Sequence, residues 1–195
     1  MSDRISDVET THPSGSQKAF AEAFDTFRLY AFRLELRQDY DVEEERESFR
    51  SFLREGPAKT CPGFLVDGLR EIAEAKTGDR TCQRVRRVVF PLTDYTRFEI
   101  LNGYRFCAEV GEQIRILEEP SSISERDIEN FKDFWLFDDK ICFEMEYDQE
   151  GRFVSVRQAE QSKLPIYIAI KSRLWLAAVG LEKSKALRLA WTREV

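Results

Sequence analysis

Apolar residues near the start of the chain recur at helical spacing. Phe20, Phe24, Phe27 and Ala31 form a stripe that Leu34 continues, which predicts a helix over residues 18–37. A second helix is expected to start near Asp41, with Asp41 as its cap and Glu44 as the capping-box partner. Phe49, Phe52 and Leu53 supply its apolar face, and Gly56-Pro57 stops it. Glu43, Glu44 and Glu45 in its first turn complement the helix dipole, a structural reason for an acidic cluster that resembles a metal site. A third helix is predicted over residues 64–76, ended by Gly78 and Asp79.

The period then changes. Val85, Val88 and Phe90 lie in a β-branched, basic run that reads as a strand over residues 84–90, ended by Pro91. Thr93 is the expected N-cap of a short helix with Tyr95, Phe98 and Leu101 on one face and Gly103 as its stop. Further strands are predicted over residues 113–117, 134–137, 141–147 and 153–156. In residues 141–147 the alternation is strict, with Ile141, Phe143, Met145 and Tyr147 on one side, as in a half-buried antiparallel strand. Residues 120–131 read as a polar connection containing a helical turn, and residues 165–191 as helical with a break at Gly180. The stretch from Ile166 to Leu181 is apolar on most sides and should pack across the sheet.

These elements predict an α+β fold: N-terminal helices, a small antiparallel β-meander of about four to five strands, and C-terminal helices packed on the sheet. Residues 1–16 are polar and read as a disordered tail, leaving residues 17–195 as a single domain. A chain of 195 residues can bury a core without a disulfide staple. Cys61, Cys82, Cys107 and Cys142 show no CxxC spacing and read as small buried hydrophobes. The only histidine, His12, lies in the tail, which argues against histidine-based catalysis. No apolar stretch is long enough to span a bilayer or to act as a signal peptide, so the cytoplasm is the expected compartment.

The net charge of −6 argues against general nucleic-acid binding. That charge is uneven. Residues 109–150 hold fourteen acids against four bases, whereas residues 171–195 hold six bases against two acids. Such asymmetry can orient a partner, or the two faces can be solvated and pair with each other.

Two segments mix charge with large aromatics at element ends: residues 84–99, from Arg84 to Glu99, and residues 133–139, Asp-Phe-Trp-Leu-Phe-Asp-Asp. The candidate binding residues are Arg84, Arg86, Asp94, Tyr95, Arg97, Glu99, Trp135, Asp138 and Asp139. The carboxylates could converge on a hard cation, or Arg84, Arg86 and Arg97 could capture an anion. Alternatively the arginines and carboxylates pair to lock strand to helix, Asp138 and Asp139 serve only their turn, and Trp135 is a core aromatic. No nucleophile, glycine-rich phosphate loop or cofactor motif is present, and no cofactor is expected.

The order Phe32-Arg33-Leu34-Glu35, Tyr40 followed by Glu44 and Glu45, Arg84-Val85-Arg86, the run from Pro91 to Glu99, Gly111-Glu112, and residues 133–139 resembles a bacterial domain-of-unknown-function family common in actinobacteria. Its members are often encoded beside helix-turn-helix regulators. The resemblance implies a shared scaffold and a regulatory partner, and it transfers no catalytic role. The expected function is therefore a non-enzymatic binding or regulatory module acting through a protein partner, such as a helix-turn-helix regulator or a defence or toxin–antitoxin-like component. The alternatives are a metal-dependent hydrolase or nuclease using Asp94, Glu99, Asp138 and Asp139, and nucleic-acid contact through the basic C-terminal helices.

Overall fold

Phe32 and Leu34 alternate with Arg33 and Glu35, and this segment forms a strand, β1 (Tyr30–Glu35), in place of the second half of the expected first helix. The helix α1 covers only Gly15–Thr26. The reason lies 110 residues away. The Asp138 carboxylate accepts hydrogen bonds from the backbone N–H groups of Arg28, Leu29 and Tyr30 at 2.7, 2.8 and 2.9 Å. A continuing helix would need those donors for its own ladder. The structure, a computed structural model, describes residues 15–192. The expected tail therefore lies outside the described residues, except for Gly15 and Ser16, which open α1. His12 also lies outside them.

Helix α2 (Arg46–Glu55) follows a 3-10 turn at Glu43–Glu45. Asp41 does not cap it; Val42 is the N-cap of the 3-10 turn and Glu45 that of the helix, neither with a side-chain bond. Asp41 instead binds Arg46 Nε at 2.8 Å and Arg152 Nε at 3.1 Å, joining the helix to a distant turn. Helix α3 (Val66–Thr77) leads into β2 (Thr81–Val88). Thr93 caps α4 (Asp94–Phe98) as expected, accepting from Thr96 N–H at 3.0 Å. The helix does not stop at Gly103. It passes through a π-helical turn, Glu99–Tyr104, into α5 (Arg105–Val110), and ends at Gly111, whose φ of 121° suits glycine. Then come β3 (Gln113–Glu118), α6 (Glu125–Glu129), β4 (Phe134–Phe137), β5 (Ile141–Tyr147) and β6 (Phe153–Gln158). The C-terminal helical region divides into α7 (Leu164–Ala177), a two-residue strand β7 (Val179–Gly180) and α8 (Lys185–Trp191).

The strands form one seven-stranded sheet in the order β6-β5-β4-β1-β2-β3-β7. The expected antiparallel meander is real but is only half of it. β4, β5 and β6 pair antiparallel, whereas β1, β2 and β3 pair parallel. Parallel neighbours need long crossovers. Here α2 and α3 join β1 to β2, and the helix over residues 94–110 joins β2 to β3.

Helices cover both faces. On one, Phe32, Leu34, Val85, Phe134 and Leu136 pack under Tyr167, Ile170 and Leu174 of α7. Cys142 on β5 also belongs to this cluster, so β5 is packed on both sides at its start, while Glu144 and Glu146 farther along the same face stay partly exposed. On the other face, α1 covers Ala31, Phe137 and Phe143, while α2, residues 94–110 and α8 form a second cluster beside it. Among the described residues, no helix is long and apolar enough to cross a membrane.

Candidate functional site: a buried arginine and glutamate cavity

The parallel register of β1 and β2 places Arg33 beside Arg84 and Glu35 beside Arg86. All four side chains lie on the same face, because alternation sends every second residue to one side. They form a charged floor where a core would ordinarily be apolar. Glu35 is 1% exposed and Arg86 is fully buried.

The floor is held by close pairing. Glu35 Oε1 lies 2.9 Å from Arg33 Nη2 and 2.7 Å from Arg84 Nη1. Tyr104 donates its hydroxyl to Glu35 Oε2 at 2.7 Å. Arg84 also donates through Nε to Glu112 Oε1 at 2.9 Å. Arg86 Nη2 lies 2.6 Å from Glu99 Oε2, and its guanidinium sits over the Tyr40 ring. Tyr40 in turn donates to Asp133.

The helix over residues 94–110 is one wall. Its π turn closes i→i+5 bonds, so residues five apart lie on one face. This brings Glu99 and Tyr104 to the same side. The 3-10 turn before α2 supplies Glu45, whose Oε2 accepts from the Tyr95 hydroxyl at 2.6 Å. Between floor and wall is a cavity of about 280 Å³, close to the lower limit for small-molecule sites. Seven of the seventeen residues around it are aromatic, including Phe64, Tyr95, Phe98 and Tyr147, so the charges sit in an apolar setting. A second hollow of about 450 Å³ adjoins it, sharing Arg33, Leu65, Arg84 and Cys107, and is edged by Asp25, Glu71, Glu74 and Glu112.

The electrostatics differ from one carboxyl to the next. Burial disfavours ionised Glu35, but Arg33, Arg84, Arg86 and the Tyr104 hydroxyl outweigh it and hold that carboxyl well below the usual range. Burial pushes Glu99 up to about 8; Arg86 opposes this, and the charges of Glu35 and Glu45 add to it. Burial likewise raises Glu45, against the Tyr95 hydrogen bond. Among the described residues, the buried Arg86 Nε, Arg86 Nη1, Glu99 Oε2 and Arg105 Nε make no hydrogen bond, Glu99 Oε2 despite its nearness to Arg86. Native interiors seldom leave such atoms unsatisfied without a water, ion or ligand.

The sequence candidates separate into several places. Arg84, Tyr95 and Glu99 line the cavity, and Arg86 lies against Glu99 and Tyr40 in the floor. Asp94 and Arg97 face away, toward a shallow hollow edged by Lys185, and Arg97 donates to the Thr192 carbonyl at 2.7 Å. Trp135 packs under α1 against Phe20 and Phe24, with Arg33 over its ring, so it is a core aromatic that edges the second hollow. Asp138 serves the backbone of residues 28–30, and Asp139 accepts from the Tyr30 hydroxyl. The four carboxylates of the metal reading therefore do not meet. Among the described residues no group of three or more metal-ligating side chains converges. Several C-terminal bases are engaged locally: Arg173 binds Asp127 at 2.8 Å, and Lys185 sits over Phe90.

Arg33, Glu35, Tyr40, Glu45, Tyr104 and Glu112 complete the site but were not among the candidates. All except Tyr104 fall in the family-like runs, which was the available signal. The model of a family described as Domain of unknown function (DUF6879) matches residues 18–185, a span that includes every residue lining the cavity. No curated protein matches the chain.

Proposed function

The chain belongs to the DUF6879 family, and from that premise we propose that the protein is a non-enzymatic binding module that holds a small molecule in this cavity and acts through a protein partner. The observation that carries this reading is a partly open, aromatic-walled cavity lined by buried charged groups, where Glu99 Oε2 makes no hydrogen bond among the described residues. Such atoms cost free energy that a bound molecule can recover.

The route to a partner runs through the cavity wall. The helix over residues 94–110 also supports α8: Arg97 holds the Thr192 carbonyl, and Arg105 lies over the Trp191 ring. Trp191 is 54% exposed, and α7 presents Ile166 and Leu176 to solvent. Exposed apolar side chains beside a basic segment suit a protein surface. The family resemblance suggests a helix-turn-helix regulator as the partner.

A thermal-shift screen of the full chain against neutral heterocycles, amino acids, amines and organic acids tests the cavity. Gly103 borders it, and a Cβ added there meets nothing within 4 Å, so Gly103→Leu can fill the space. At least one class should raise Tm in the native protein and not in Gly103→Leu. The reading fails if no class binds, or if Gly103→Leu binds as the native protein does. Co-expression with helix-turn-helix regulators encoded nearby tests the partner, and failure to co-purify with any of them removes that half.

A further inference from the structure

The paired groups around the cavity leave one carboxylate over. Arg33, Arg84 and Arg86 supply three positive charges. Glu35, Glu99 and Glu112 are their ion-pair partners. Glu45 lines the cavity as a fourth carboxyl, and among the described residues it takes part in no ion pair; its partner is the Tyr95 hydroxyl, while Asp133, also outside any ion pair, lies behind Tyr40 and does not line the cavity. We infer that the cavity receives a small organic monocation, a protonated or quaternary amine, whose charge rests between Glu45 and Glu99 and whose carbon groups pack on the surrounding rings. This inference rests on the binding-module reading above and names its ligand class.

Three alternatives fit less well. An anion would need free guanidinium donors reaching the cavity, but Arg84 spends Nε and both terminal nitrogens on Glu35 and Glu112, and Arg86, whose Nε and Nη1 make no hydrogen bond among the described residues, does not line the cavity. A hard metal ion needs several oxygens converging, and no such group is formed among the described residues. A neutral molecule brings no positive charge, so in a setting walled by Phe64, Tyr95, Phe98 and Tyr147 the surplus would still have to be settled by a proton on a carboxyl. Aromatic faces attract weakly hydrated organic cations, and the nearby carboxyls supply the opposite charge.

In the empty cavity a proton can settle the same surplus. The groups facing Glu99 are Glu35 from β1, Arg84 and Arg86 from β2, Tyr40 and Glu45 from the segment before α2, and Tyr95 and Tyr104 from its own helix. Their sum and the burial keep Glu99 protonated into the neutral range. An arriving cation favours the ionised form and displaces that proton. Binding should therefore tighten as pH rises toward about 8, by up to about tenfold per pH unit, and level off above it.

Calorimetry on the full chain, with choline and with its uncharged carbon isostere at about pH 6 and about pH 9, tests this. Choline should bind and the isostere should not. Glu45→Gln keeps an acceptor for Tyr95 and should weaken choline at least tenfold while preserving the pH dependence. Glu99→Gln should weaken choline and abolish the pH dependence, and it gives an independent reading if Glu45→Gln does not fold. The inference is overturned if the isostere binds as well as choline, if both variants bind like the native protein, or if affinity does not rise with pH. A cavity that takes neutral or anionic compounds, is blocked by Gly103→Leu and ignores amines sinks this inference alone. One that takes no class of compound sinks the binding-module reading as well.

Discussion

The two faces of the sheet come from the same strands and differ by one residue in register. Under α7, Phe32, Leu34, Phe134 and Leu136 make an interior with no charge. One position along, Arg33, Glu35, Arg84 and Arg86 build an ionic floor in which Glu35 and Arg86 are as deeply buried and Arg33 and Arg84 are partly exposed. Apolar packing satisfies itself wherever volumes match. Buried charge does so only when every partner is present, and an unpaired ion inside a protein is costly. The apolar face is therefore tolerant and the charged face is specific, and the cavity lies on the specific side.

Removing one ion should test that contrast most severely. Glu35→Leu leaves Arg33, Arg84 and the Tyr104 hydroxyl without their shared acceptor, and should cost about 3–5 kcal/mol in urea unfolding. A neutral or stabilising result would mean that apolar packing can replace the floor and would break the comparison. Leu136→Ala on the opposite face should cost about 2–4 kcal/mol through the cavity it creates, with the same loss at every pH.

Glu99→Gln sharpens the contrast through pH. The folded-state carboxyl is raised to about 8, so protonated Glu99 contributes stability that is fully present at acidic pH and lost as pH rises toward about 8. Glu35 has the opposite sign: its carboxyl is held low, so its contribution is present at neutral pH and lost as pH falls through the usual carboxylate range. Thermal melts from acid to mild alkali should show Glu99→Gln flattening the decline between the usual carboxylate range and about pH 8, and leaving the more acid limb unchanged. The smallest expected effect lies at the edge of both faces. Thr93→Ala removes one cap hydrogen bond and should cost about 1 kcal/mol by the same denaturation assay.

How legible each region was depends on where its determinants lie. β4 and β5 form over the expected residues 134–137 and 141–147, because alternation and turn residues are local. The Thr93 cap is local too. β1 was hidden because Ala31 and Leu34 also fit the helical stripe begun by Phe20. What decides the matter is Asp138, far along the chain, capturing the backbone at residues 28–30. Parallel pairing of β1, β2 and β3 leaves no short-range mark, since each partner strand is separated by helices. In the site, Arg84, Arg86, Tyr95 and Glu99 stood out through their unusual mixture of charge and aromatic rings. Glu45 had a sufficient local explanation as a dipole partner, and Tyr104 was obscured by reading Gly103 as a stop.

The π turn between Glu99 and Tyr104 sets the phase of everything after it. In a regular α-helix each residue advances by about 100°, so residues five apart point about 140° away from each other. Rewinding this turn as ordinary α-helix with no residue lost would keep an unbroken helix between the same cap and the same glycine stop. It would also swing Tyr104 off Glu35 and turn the following residues away from the floor. Two descendants of one ancestor could thus share every strand and helix yet differ in whether they enclose a chamber at all. A relative that winds regularly between the threonine cap and that glycine must therefore be one residue shorter there to keep its chamber.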